Sequence, residues 1–240
     1  MNERIAKVIA RAGVCSRRDA EQLILDGQVT VNGLTITSPA LNVGPEDKIT
    51  VKGKPLGEAD DVRVWLFHKP AGVVTTHKDP QGRKTVFDIL PSYIPRVMSV
   101  GRLDLNSEGL LVLTNDGALV RHLELPKNAL KRVYHVRVLG TPDPERLKAL
   151  KDGITVDGIT YGRIKARIDR KGQSNSWLIF ELSEGKNREI RNVCRALELR
   201  VNRLKRVQYG PFQLGTMTMG SIKEIHPDDL KDILAELKFA

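Results

Sequence analysis

Residues 100–117 read VGRLDLNSEGLLVLTNDG and hold three acids, Asp104, Glu108 and Asp116, against the single base Arg102. The whole chain has 39 Lys+Arg and 29 Asp+Glu, a formal charge of +10 at pH 7. A carboxylate in a tight, glycine-bounded segment of such a chain has three readings. Asp104 stands where a strand-like SVGRL ends and a turn, NSEG, begins, so it is a turn residue that bonds its own backbone. Alternatively, Asp104 and Glu108 are the paired carboxylates of a glycoside hydrolase, although nothing else in the chain resembles a sugar cleft. Or Asp104 is a lone reacting carboxylate in a protein that holds a polyanion. Spacing alone favours the first reading. Asp116-Gly117 reads as a turn or a helix start.

The second chemical feature is basic. Segment 186–206, KNREIRNVCRALELRVNRLKR, carries Lys186, Arg188, Arg191, Arg195, Arg200, Arg203, Lys205 and Arg206 against Glu189 and Glu198. Wound as a helix, Ile190, Val193, Cys194 and Leu197 share one face, and Arg188, Arg191 and Arg195 share the opposite one. Such a stripe follows a phosphate backbone while the apolar face packs on a sheet. Arg17-Arg18, at the start of a predicted helix, is a smaller site of the same kind.

These residues need elements to position them. RIAKVIARA (4–12) reads as an amphipathic helix closed by Gly13. Ser16 caps a second helix, with Asp19 three positions on. QVTVNGLTIT forms a hairpin around Asn32-Gly33, and GPEDKITVKGKPL adds a further turn and strand. This block occupies residues 1–56, and the polar GEADD (57–61) is the linker. The remainder, 62–240, opens on the strand VRVWLF. Later strands are predicted over 132–140, 159–168, 176–183 and 200–209. Helices are predicted in DGALVRHLEL, DPERLKALKDG, KNREIRNVCRALEL and PDDLKDILAELKF. Strands outnumber helices without alternating strictly with them, so the fold class is α+β with a mostly antiparallel mixed sheet and flanking helices.

Composition excludes several classes. No apolar run is long enough to span a bilayer, and charges interrupt the N-terminal apolar positions, unlike a signal peptide. Cys15 and Cys194 lie far apart, and the histidines show no ligand spacing, so neither a disulfide framework nor a metal is expected. The expectation is a cytoplasmic monomer with no membrane contact. The positive charge calls for an acidic partner, most simply nucleic acid. Aromatics are 5 % of the chain, few for a platform that stacks base after base, which favours a folded RNA read by shape and backbone.

Gly101-Arg102-Leu103-Asp104, Ser107-Glu108-Gly109-Leu110-Leu111 and Leu113-Thr114-Asn115-Asp116-Gly117 together resemble the signature of the RsuA-type pseudouridine synthases. Lys69-Pro70-Ala71-Gly72-Val73-Val74, Asp79-Pro80-Gln81-Gly82-Arg83 and Glu184-Gly185-Lys186-Asn187-Arg188-Glu189-Ile190-Arg191 match other motifs of that family. The N-terminal block is similar to the small RNA-binding domain shared with ribosomal protein S-four. The resemblance implies that Asp104 is the catalytic aspartate, that Tyr134 packs on the target base and takes a proton, and that Arg191 pairs with Asp104. It also implies that Leu204 lines the pocket. Arg102, Lys186, Arg188, Arg195, Arg17 and Arg18 are the expected further substrate contacts.

The implied reaction isomerises uridine to pseudouridine. The N1–C1′ bond breaks and the uracil rejoins C1′ through C5. Nothing is added or lost, so no cofactor is expected. One carboxylate suffices where no water must be activated, and it must stay ionised in a dry pocket, which needs a cation beside it. The target base must be flipped out of folded RNA. The motifs lie closer to the RluB-like branch, which acts on large-subunit ribosomal RNA, than to the small-subunit branch. The alternatives are a small-subunit enzyme of the same family or a non-catalytic RNA-binding factor of ribosome assembly.

Overall fold

The computed structural model describes residues 2–239, which form two compact units. One contains the chain up to Val62 with Asn115–Gly117, the other Arg63–Thr114 and the chain from Ala118 onward.

In the first unit, helices α1 (Ile5–Arg11) and α2 (Arg17–Leu25) accompany a sheet of β1 (Val29–Val31), β2 (Leu34–Ile36), β3 (Ile49–Val51) and β4 (Lys54–Pro55), in the order β2-β1-β3-β4. Ser16 caps α2, its Oγ accepting the Asp19 N–H at 3.1 Å. Asn32 (φ 53°) and Gly33 (φ 82°) are both left-handed, the geometry that lets a two-residue hairpin follow the twist of its strands. Ile5, Ile9, Ala20 and Ile24 of the helices bury against Val29 and Val51 of the sheet.

The second unit is built on a nine-stranded sheet. Its strands are β5 (Val64–Lys69), β6 (Met98–Val100), β7 (Glu108–Thr114), β8 (Arg132–Leu139), β11 (Ile164–Arg170), β12 (Asn175–Leu182), β13 (Arg200–Tyr209), β14 (Phe212–Gln213) and β15 (Ile222–Glu224). The main order is β11-β12-β8-β13-β7-β5-β15, with β6 paired to β7 and β14 to β13. Every pairing is antiparallel except β13 with β7, where Lys205 opposes Glu108 and Arg206 opposes Gly109. The class is α+β on a mixed sheet. Strand β7, between β5 and β13, is buried at every position, so both of its faces are covered, in keeping with the unbroken apolar run LLVL. Helices α4 (Pro144–Ala149) and α5 (Glu189–Ala196) bury Leu147, Ile190, Val193 and Cys194 in one core with Val136, Val138, Leu178 and Phe180 of the sheet. Helices α3 (Gly117–Glu124) and α6 (Pro227–Glu236) complete the set.

Three local expectations change. ITYGRIKARI is two strands, because β9 (Ile154–Val156) and β10 (Ile159–Tyr161) form their own hairpin about Asp157-Gly158 (φ 50° and 78°) before β11 begins. NSEG is only half a turn, since Glu108 and Gly109 already belong to β7. The helix predicted from Lys186 starts at Glu189, because Arg188 is left-handed (φ 51°).

Candidate active site

Asp104 lies in the loop 101–107 between β6 and β7, and the backbone of that loop is held at successive residues. Thr75 Oγ1 donates to the Leu103 carbonyl at 2.9 Å, and the Gly72 N–H donates to the Leu105 carbonyl at 2.7 Å. The Asp104 carbonyl accepts the Ser107 N–H at 3.0 Å, which closes the turn. Lys69 at the end of β5 completes the clamp. It is 0 % exposed, and its Nζ donates to the carbonyls of Ser107 (2.8 Å), Pro70 (3.0 Å) and Asp104 (3.1 Å). An ammonium has three protons and no acceptor, so it matches three carbonyls. Burial pulls the Lys69 pKa down to about 8, against the Asp104 and Glu108 carboxylates and with the Arg206 charge.

Two guanidiniums face the Asp104 carboxylate. Arg188 Nη1 lies 3.6 Å from Oδ2, and Arg191 Nε lies 3.9 Å from it. Both are ion contacts, longer than a charge-assisted hydrogen bond of about 2.7–2.9 Å. Arg191 is the better anchored. Its Nη2 donates to the Asn106 carbonyl at 2.8 Å, while its Nε is buried without a hydrogen-bond partner. Burial, then the neighbouring Arg188, lowers the Arg191 pKa, and Asp104 raises it. The fold therefore brings together positions 104 and 191, far apart in sequence, and adds Arg188 to the pair. The left-handed Arg188 backbone at the head of α5 is what turns that residue aside from the helix.

Tyr134 on β8 opposes Arg206 of β13 and packs against the core that contains Leu103, next to Asp104. Leu204 is buried in the core that α5 covers. Arg102 is exposed.

Other predicted contacts are committed elsewhere. Lys186 donates to the Thr160 carbonyl at 2.6 Å and pairs with Glu184 at 2.9 Å. Arg195 pairs with Asp157, and Arg17 with Glu21 at 3.3 Å, all on the surface, where such pairs open readily to a stronger anion. Arg18 is exposed at the start of α2. Arg206 does not extend the basic stripe. It is 2 % exposed, donates from Nε to the Leu110 carbonyl at 2.8 Å and stacks on Tyr209. Glu108, the second carboxylate of the hydrolase reading, is buried and forked by Arg203, with Nε at 2.8 Å and Nη2 at 2.7 Å.

Sequence reasoning placed Lys69 and Glu189 within matching motifs and gave neither a role. Lys69 carries a visible signal, a lysine closing the apolar run VWLFH. Glu189, in the first turn of α5, accepts the Lys186 N–H at 3.1 Å and is otherwise buried. Burial pushes its carboxyl up to about 7, against that hydrogen bond.

Residues 63–196 match the model of the RNA pseudouridylate synthase family, and residues 3–49 match the S4 domain. The chain belongs to the RNA pseudouridylate synthase family, and is thus an isomerase of uridine in RNA that carries an N-terminal RNA-binding S4 domain. A Rickettsia felis protein named as an uncharacterized RNA pseudouridine synthase is 51 % identical over 93 % of this chain and 97 % of its own length. The Bacillus subtilis ribosomal large subunit pseudouridine synthase B is 37 % identical over 97 % of this chain and 96 % of its own. A solved structure of a pseudouridylate synthase shares the fold, with a TM-score of 0.66 over 95 % of this chain and 98 % of its own at 23 % identity.

Proposed function

We propose that this chain converts one uridine of large-subunit ribosomal RNA to pseudouridine, with Asp104 as the catalytic carboxylate acting on a flipped-out base. The observation that carries the reading is the Asp104 site: a carboxylate on a loop clamped by Lys69 and faced by the guanidiniums of Arg188 and Arg191. The choice of large-subunit RNA is supported by the name of the Bacillus subtilis relative, which spans nearly the same length.

In this reading the N1–C1′ bond breaks, the uracil turns in place, and the C1′–C5 bond forms. The C5 proton leaves and N1 gains one, so the atoms balance without a second substrate. The ionised Asp104 stabilises positive character at C1′ or adds to the substrate, and both routes need it deprotonated. Arg188 and Arg191 face it and offset its repulsion with the RNA phosphates. Tyr134 stacks on the uracil and relays the C5 proton, its phenol giving up one proton as it takes the other so that N1 gains one, and Leu204 shapes the pocket. Unstacking the uridine costs a few kcal/mol, offset by phosphate contacts and by that stacking. The S4 domain supplies a second RNA contact on the same chain, which raises the local concentration of each site for the other.

The test is to map pseudouridines in ribosomal RNA from cells with the protein, without it, and with Asp104→Asn. One large-subunit site should vanish in the deletion and stay absent with the variant. Loss of a small-subunit site would overturn the assignment to the large subunit. Restoration by Asp104→Asn would overturn the role of the carboxylate.

A further inference from the structure

The sheet of the second unit carries a basic stretch on the side opposite α4 and α5. Val136, Val138, Leu178 and Phe180 point toward α4 and α5 and are buried there. Residues of odd number on β8 and β12 point the other way. Their pairing sets out two consecutive rungs across four strands. In the first, Arg170 opposes Trp177, which opposes Arg137, which opposes Arg203. In the second, Arg167 opposes Ile179, which opposes His135, which opposes Lys205. Lys165 follows on the next rung, opposite Glu181. Strands lie about 4.8 Å apart and rungs about 7 Å apart, so these bases form a compact grid. Arg137, Lys165, Arg167, Arg170 and Arg203 are exposed and Lys205 is half-buried.

Three acids accompany these bases: Asp169, exposed between Arg167 and Arg170 on β11, Glu181, opposite Lys165, and Glu108, opposite Lys205. Among the described residues, the ion pair on this face is Arg203 with Glu108. Arg137 stands directly opposite Arg203, a like-charge pair that weakens a sheet. A polyanion would reverse the sign of that interaction.

We propose that this basic part of the sheet face, carried by β11, β12, β8 and β13, is a second RNA-binding surface of the catalytic unit, which grips the phosphates of a helix other than the one that carries the reacting uridine. The side of the sheet decides the last point. Leu204 and the residues that α5 covers lie on the opposite side, and a rigid duplex does not occupy both. The occupant is a separate helix of one folded RNA, so the surface favours a large structured substrate over an isolated stem-loop. The inference rests on the reading of the substrate as ribosomal RNA, and one arm of its test is independent of that reading.

The probe for that arm is a mixed-sequence RNA duplex, and the measurement is binding against salt concentration. Arg137→Gln/Arg167→Gln/Arg170→Gln keeps the aliphatic stems and removes three charges from the exposed face. The slope of log affinity against log salt should fall by about 2–3, with roughly 10–100-fold weaker binding at low salt. The matching Arg→Lys triple should keep the wild-type slope. In the second arm, single-turnover modification of a short stem-loop should be unchanged, while modification of the full-length ribosomal RNA at subsaturating enzyme should fall about as far as the affinity. A wild-type salt slope in the Gln triple, with its thermal melt intact, overturns the surface. An equal loss on the stem-loop and the full-length RNA overturns the claim of a separate helix. If the wild-type protein modifies no ribosomal RNA, the substrate reading fails, and the duplex arm still decides the surface.

Discussion

Lys69→Met is the perturbation that separates the positioning of Asp104 from the stability of the fold. The Lys69 pKa falls from 10.5 to about 8, which corresponds to roughly 3 kcal/mol of unfavourable charge burial. Methionine, of similar length, removes that cost. It also strips the carbonyls of Pro70 and Ser107 of the Nζ donor, while the Asp104 carbonyl keeps the Ser107 N–H. Each stranded carbonyl costs about 1–3 kcal/mol, so the two effects nearly offset, and global stability should fall by no more than about 3 kcal/mol. Catalysis should not be so forgiving, because the turn that presents Asp104 loses its floor. A displacement on the order of 1 Å costs roughly 100-fold in rate. The assay is single-turnover release of tritium from C5-labelled uridine in RNA, with urea unfolding run beside it.

The same clamp has a pH signature. A neutral amine donates two hydrogen bonds, so deprotonation frees one carbonyl, and the wild-type rate should decline above about pH 8. Stability should move the other way. Between about 8 and 10.5 the unfolded chain holds the extra proton, so this group makes folding more favourable as pH rises. A Met variant that turns over at the wild-type rate, or that keeps the decline above pH 8, would refute the clamp.

Three further outcomes are expected. Gly109→Ala should destabilise the chain by about 3 kcal/mol or more in urea unfolding, because φ is +104° and a Cβ would stand 2.2 Å from the Arg206 carbonyl oxygen. Glu189→Gln should stabilise at high pH. The native carboxyl holds its proton up to about 7 and the unfolded one only to 4.5, so wild-type stability drops as pH rises through that window. The Gln variant, whose amide oxygen still accepts the Lys186 N–H, should exceed wild type by up to roughly 3 kcal/mol at pH 8 and match it below pH 4.5. Arg17→Ala with Arg18→Ala should weaken RNA binding and reduce its salt slope by about 1–2, measured by titration at several salt concentrations.

Much of the local structure is legible in the chain itself. Ser16 with Asp19, and Asn32 with Gly33, act through neighbours a few residues away, and the cap and the hairpin turn form as those residue types require. The resemblance of GRLD and EGKNREIR to a known family marks Asp104 and Arg191 before any coordinates. Burial is less legible. Arg206 and Arg203 read alike in a basic run, yet one lies inside the sheet and the other forks Glu108. Strand register decides that, and register depends on which strand lies alongside.

Sequence alone determined the caps, the turns, the basic charge and the residue types available for chemistry, because these depend on near neighbours and composition. Tertiary structure decided which charges meet. A β-sheet pairs residues by register rather than by order along the chain, and the loop it supports sets Asp104 against Arg188 and Arg191 and over the buried ammonium of Lys69. Electrostatic energy falls with distance through space, and that distance exists only after the chain has folded.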